Sequence, residues 1–119
     1  MEYRRLCESD YRFMCVIWEN EPISSMQLVT LCADRLGWKK STTFTMLRKL
    51  CEKGLAKNED SVVTSLVAKQ TVCECESASF VEQTFGGSLP GFLTAFFGGR
   101  RISEREAEEL KKLIDEYKE

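Results

Sequence analysis

"GWKKSTTFTMLRKLCEKGL", residues 37–55, sets five positive charges against one negative in a stretch whose apolar residues recur at helical spacing. At about 100° per residue, with Leu47 pointing inward, Thr43, Leu50 and Cys51 fall on the same face. Ser41, Thr42, Thr45, Arg48, Lys49 and Glu52 point away, and Phe44 lies at the margin. Ser41 is the expected N-cap, and Gly54 stands where a left-handed C-cap is favoured. Hydroxyls and cations are the groups that bond phosphates and guanine edges, whereas a helix built only for solubility pairs Glu with Lys at i, i+4. The outer face, entered through Lys39 and Lys40, therefore reads as a nucleic-acid surface.

The flanking sequence supplies a frame for that helix. Upstream, Ser9 is the expected cap of a first helix that carries Met14, Ile17 and Trp18 on one face and ends at Glu21-Pro22. Ser24 with Gln27 then has capping-box spacing, and the helix it opens presents Leu28, Leu31, Cys32 and Leu36 before Gly37 stops it. Downstream the period changes. Leu55 to Lys57 and Val62 to Val67 read as two strands around the turn residues Asn58-Glu59-Asp60. Helix-turn-helix followed by a two-stranded ribbon is the winged-helix arrangement, in which the second helix of the pair enters the DNA major groove. The expected fold is thus mainly α with a small β-hairpin wing, residues 1–70 forming the DNA-binding domain.

Residues 71–119 return to helical spacing, interrupted at Gly86-Gly87 and Gly98-Gly99, and form an expected helical dimerisation region. Ser103 with Glu106 opens the last helix, whose stripe runs through Ala107, Leu110, Leu113, Ile114 and Tyr117. Phe80, Phe85, Leu89, Phe92, Leu93, Phe96 and Phe97, with Leu110, Leu113 and Ile114, are more apolar surface than short helices hide among themselves. A second copy is the expected cover, making a homodimer.

Composition narrows the function. The chain is 43% hydrophobic and 30% charged, with a net charge of −2, so the basic stretch is a local feature on an acidic protein. That suits binding at chosen sites better than general coating of nucleic acid. No apolar run approaches the roughly 20 residues of a membrane span, and the start lacks the apolar core of an export signal, which implies a cytoplasmic protein without direct membrane insertion. The six cysteines sit mostly inside helical patterns and read as reduced thiols. There is no histidine, the commonest base for a nucleophile, and no glycine run has P-loop or dinucleotide spacing, so no enzyme and no cofactor are expected. A helical adaptor that has lost DNA binding is the competing reading. It predicts no salt-sensitive binding to any duplex.

"VIWENEPISSMQL" at 16–28, the opening stretch, "FGGSL" at 85–89 and "SEREAEELKKLI" at 103–114 together resemble the penicillinase-repressor family, which includes β-lactamase, methicillin-resistance and copper-responsive repressors. The resemblance implies a dimeric winged-helix repressor of a bacterial double-stranded DNA operator. It carries recognition roles to Thr42, Thr45, Arg48 and Lys49, and matches Trp38 to the aromatic that opens the motif. Phe44 departs from it, standing where many relatives place Arg or Lys; a phenyl ring meets a thymine methyl but cannot bridge guanine O6 and N7. The β-lactam-responsive relatives are inactivated through a membrane sensor-protease pathway that cuts an Asn-Phe bond. Ala95-Phe96 is the matching position here, with the asparagine replaced, and Phe96 reads more readily as an ordinary packing residue. Cys73-x-Cys75 resembles the paired cysteines of copper-responsive relatives, which makes a copper- or zinc-responsive repressor the alternative within the family. On a helix the two thiols point about 200° apart, so such a site would need cysteines from elsewhere in the chain or from a partner subunit, and inert thiols are the expected reading.

Overall fold

The structure, a computed structural model, describes residues 6–119; residues 1–5 of the expected first domain lie outside it. The described residues form two compact units, 6–79 and 80–119. The first holds α1 (Glu8–Asn20), β1 (Ile23–Ser24), α2 (Ser25–Leu36), α3 (Lys40–Glu52), β2 (Ala56–Glu59), β3 (Val62–Ser65) and the start of α4 (Lys69–Phe85). This is a winged helix. The fold class is the one expected, mainly helical with an antiparallel hairpin wing followed by further helices.

Its core is assembled from every element: Phe13, Met14 and Ile17 of α1, Leu28 and Cys32 of α2, Leu47 and Leu50 of α3, Val63 of the wing and Val72 of α4 are all buried. Trp38 packs beside it, its ring 5.6 Å from that of Phe13. Trp18 is only half-buried and donates its indole N–H to the Val67 carbonyl at 3.0 Å, tying α1 to the end of the wing.

The helix boundaries follow the sequence where the expected serine accepts a first-turn N–H, as at Ser24 and Ser103, and depart from it where it does not. Ser24 and Gln27 make a full capping box, and Gly37 closes α2 in the left-handed region at φ 68°. Ser9 and Ser41, also expected caps, instead lie within first turns. Helix α1 starts after Cys7 and α3 after Lys39, and at neither position does the side chain accept a first-turn N–H. The extra residues come from backbone bonds, Tyr11 N–H to Cys7 O and Thr43 N–H to Lys39 O, which wind each helix back past its serine.

The wing also differs in detail. Asn58 and Glu59, expected in the turn, pair with Val63 and Val62, and the reversal falls on Asp60 and Ser61, both at positive φ. A two-residue loop of that kind matches the right-handed twist of its strands. Ile23 and Ser24 add a short third strand against β3, giving the order β1-β3-β2. No sequence pattern announced it, because a strand of two residues has no period.

In the second unit, residues 80–85 of α4 are followed by α5 (Leu89–Phe96) and α6 (Glu104–Tyr117). Ser88 caps α5 by accepting from Gly91 N–H, and Ser103 caps α6 by accepting from Glu106 N–H. Phe80, Phe85 and Phe92 meet edge to face with centroids 5.5–5.9 Å apart. Neither α5 nor α6 contains a buried residue.

Candidate nucleic-acid interface

Helix α3 exposes the face its sequence implies. Thr43, Leu47 and Leu50 are buried, Cys51 and Phe44 half-buried, and Ser41, Thr42, Thr45, Arg48 and Lys49 exposed, with Lys39 and Lys40 at the entrance. Because Ser41 does not cap it, the first turn of α3 has no side-chain partner at its N-cap and no acidic residue. Its free N–H groups and the positive end of the helix dipole, beside Lys39 and Lys40, make a natural seat for an anionic oxygen. Thr45 donates its hydroxyl hydrogen to the Ser41 carbonyl at 2.9 Å. What it offers outward is a lone pair and a methyl group.

An open groove of about 660 Å³ lies between α3 and the wing, bordered by Phe44, Arg48, Lys57, Asn58 and Leu66. Phe44 therefore borders the groove toward the wing while packing against the core. Lys57 of the wing reaches Glu59 at 3.1 Å, both well exposed. Among the described residues no ion pair holds Lys39, Lys40 or Arg48.

Lys49 differs from that group. Its ammonium donates to Asp10 Oδ1 at 3.2 Å, while Lys53 donates to Oδ2 at 2.9 Å. The Asp10 side chain is 1% exposed, those of Lys49 and Lys53 45% and 35%. Burial pushes the Asp10 carboxyl up, but hydrogen bonds from Lys53, Cys7 and Lys49 outweigh it and leave the pKa below the ordinary 3.8. Sequence reasoning missed Asp10 because a carboxylate in the first turn of a helix is an ordinary partner of the helix dipole.

The remaining candidates are placed as follows. Cys73 and Cys75 stand on α4, and the Cys73 sulfur meets the Tyr11 hydroxyl at 3.6 Å. That contact, with burial and the nearby Cys15, pushes Tyr11 up to about 12. Among the described residues no three His, Cys, Asp or Glu side chains gather to hold a metal ion. Burial also pushes the Cys32 and Cys51 thiols up, away from the reactive thiolate. Ala95 and Phe96 lie on α5, both exposed, with the Arg100 guanidinium 5.0 Å from the centre of the Phe96 ring. No described helix is long and apolar enough to cross a membrane.

The three-helix core, the hairpin wing and the polar outer face of α3 define a winged-helix protein of the DNA-binding class. The family model described as penicillinase repressor matches residues 6–116, and the chain belongs to that family, whose members are DNA-binding transcriptional repressors and not enzymes. It is similar to the penicillinase repressor of Bacillus licheniformis, at 24% identity over 118 residues that cover 96% of this chain and 92% of that protein. It is also similar in fold to a solution structure of Bacillus licheniformis BlaI, a monomeric form in complex with the blaP half-operator. That match has a TM-score of 0.50 and 22% identity, and covers 58% of this chain and 89% of the other.

Proposed function

We propose that this protein represses transcription by binding a pseudo-palindromic operator as a homodimer, with the outer face of α3 in the major groove. The observation that carries the reading is the exposure of Ser41, Thr42, Thr45 and Arg48 on one helix face, with Lys39 and Lys40 at its uncapped N-terminus. Arg48 suits guanine O6 and N7; Thr42 and Thr45 suit base edges and thymine methyls; Lys39, Lys40, Ser41 and the first-turn N–H groups suit phosphates. Phe44, beside the groove toward the wing, favours a thymine methyl, so the operator differs at that position from those of relatives with Arg or Lys there. A family relative seen in complex with a half-operator supports binding to DNA.

Footprinting the promoter of its own operon with the full chain identifies the site, and titrating that duplex over a range of salt tests the mode. Affinity falls linearly with salt on logarithmic axes in proportion to the phosphates neutralised. A chain that gives no footprint and no salt-sensitive binding is the adaptor instead. Inactivation by a cut at Ala95-Phe96, through a membrane sensor-protease pathway, is supported by the exposure of both residues and would detach α6. Blotting cells treated with cell-wall antibiotics for a shortened chain tests it; an intact chain under full induction ends that scheme.

A further inference from the structure

We infer that Asp10 sets the specificity of DNA binding by holding Lys49 and Lys53 away from phosphate, an inference that rests on the DNA-binding reading above. The stretch around α3 carries five cations, Lys39, Lys40, Arg48, Lys49 and Lys53. Were all five offered to DNA, much of the binding would be the sequence-independent electrostatic kind, which any duplex satisfies. The two last-named lysines stand one helical turn apart, and each donates to a different oxygen of the same buried carboxylate.

The pairing is asymmetric in what it needs. An ionised carboxylate taken out of water requires partners, whereas two ammonium groups with a third or more of their side chains exposed are well served by solvent. A phosphate that drew Lys49 or Lys53 away would leave Asp10 charged and less paired in the interior. Phosphate, already solvated, gains too little to repay that. Asp10 also lies in α1, 39 and 43 residues from its partners in sequence, so the same bonds fix how α3 is turned on the core. The cations left for DNA are Lys39, Lys40 and Arg48, which lie at or beside the hydroxyl-bearing reading face, and base contacts then make up a larger share of the affinity.

The test uses the full chain, a mixed-sequence duplex and the footprinted operator, with binding measured from low to moderate salt and folding followed by circular dichroism. Asp10→Asn is expected to tighten binding to the mixed-sequence duplex and to steepen its salt slope by about 0.9 for each lysine released, about a further threefold loss between 50 and 200 mM salt. The ratio of operator to mixed-sequence affinity falls accordingly. Lys49→Met in the otherwise unchanged chain is expected to leave both slopes as they were, and in the Asp10→Asn background to take back part of the steepening. Should Asp10→Asn not fold, Lys49→Met decides alone: an unchanged slope supports the inference, and a slope shallower by about 0.9 shows the lysine already at a phosphate and overturns it. A folded Asp10→Asn chain with the parent's slope overturns it too. Failure of the parent chain to bind either duplex is a separate result, which removes the DNA-binding reading itself and this inference with it.

Discussion

In the proposed interface Arg48 and Asp10 have opposite roles, one for what it reaches and the other for what it withholds. Arg48 is exposed on α3 and its head can make paired hydrogen bonds to one guanine, so Arg48→Ala should weaken operator binding by roughly 1–3 kcal/mol and relax the preference at one base position. Operator titration beside a folding control measures it; parent-like affinity in the folded variant places the reading elsewhere. Asp10 has a folded pKa below its ordinary 3.8. A depressed carboxylate stabilises the fold fully above the unfolded value, and that contribution drains away as pH falls from 3.8 through the lower folded value. Asp10→Asn should therefore differ in thermal stability from the parent by a constant amount near neutrality, and the difference should shrink below pH 3.8. A difference that is unchanged down to strong acid would show that Asp10 is not ionised in the fold. The asymmetry of the pair also predicts that removing both lysines, Lys49→Met with Lys53→Met, destabilises by about 3 kcal/mol and more than Asp10→Asn does, because only the former strands a buried charge. Thermal denaturation ranks the two.

At the scale of elements, the wing shows how a hairpin can be correct in outline and displaced in its turn. Asn58, Glu59 and Asp60 all have turn chemistry, so the sequence offers no way to choose among them. The choice is made by β3, since Val63 must point into the core and Val62 then faces solvent, which pairs Asn58 and Glu59 and leaves Asp60 and Ser61 to reverse the chain. Ser61 sits at φ 65°, where a side chain is strained and glycine is not. Ser61→Gly should accordingly raise stability by about 0.5–1 kcal/mol, the relief of strain exceeding glycine's entropy cost. Chemical denaturation is the measurement, and a loss of stability would mean the serine contributes a bond worth more than the strain. The caps teach a related point: Ser24 and Ser103 each accept a first-turn N–H and mark the helix start the sequence implies, whereas the serines at 9 and 41 are wound into theirs by backbone bonds to Cys7 and Lys39.

At the scale of the molecule, each compact unit has a different hydrophobic balance. The first buries most of its apolar side chains, with Met26, Val62 and Leu66 exposed, and has a full core; the second has no buried residue on α5 or α6 and leaves Leu89 56%, Phe96 44%, Leu113 49%, Ile114 57% and Tyr117 82% exposed. Burying side chains of this size is worth roughly 1.5–3 kcal/mol each before ordering costs. A two-fold partner is the expected cover, and Leu113→Glu with Ile114→Glu on the full chain should turn a dimer into a monomer while the winged helix stays folded. Light scattering on both proteins checks this, and a variant that remains dimeric places the interface away from α6. Val72 is buried with the winged-helix core, and Glu76 accepts a hydrogen bond from Leu6 N–H at 2.7 Å. A fragment meant to isolate the DNA-binding unit should therefore run to residue 79; one ending at 70 loses part of its core.

The sequence alone determined the order of helices and wing, the inward face of α3 and its outward hydroxyls, because each depends on spacing along one chain and on the burial it demands. The capping box at Ser24 and the left-handed Gly37 were legible for the same local reason. What only the tertiary structure decided is which charged groups are spent inside the fold. Lys49 and Arg48 are neighbours on the same outer face of the wheel and look alike in sequence. They part because Asp10, 39 residues before Lys49, is carried by the packing of α1 to within hydrogen-bond reach of Lys49. The third strand at Ile23–Ser24 and the reversal at Asp60 and Ser61 were decided in the same way, by a partner across space whose pairing no local period can encode.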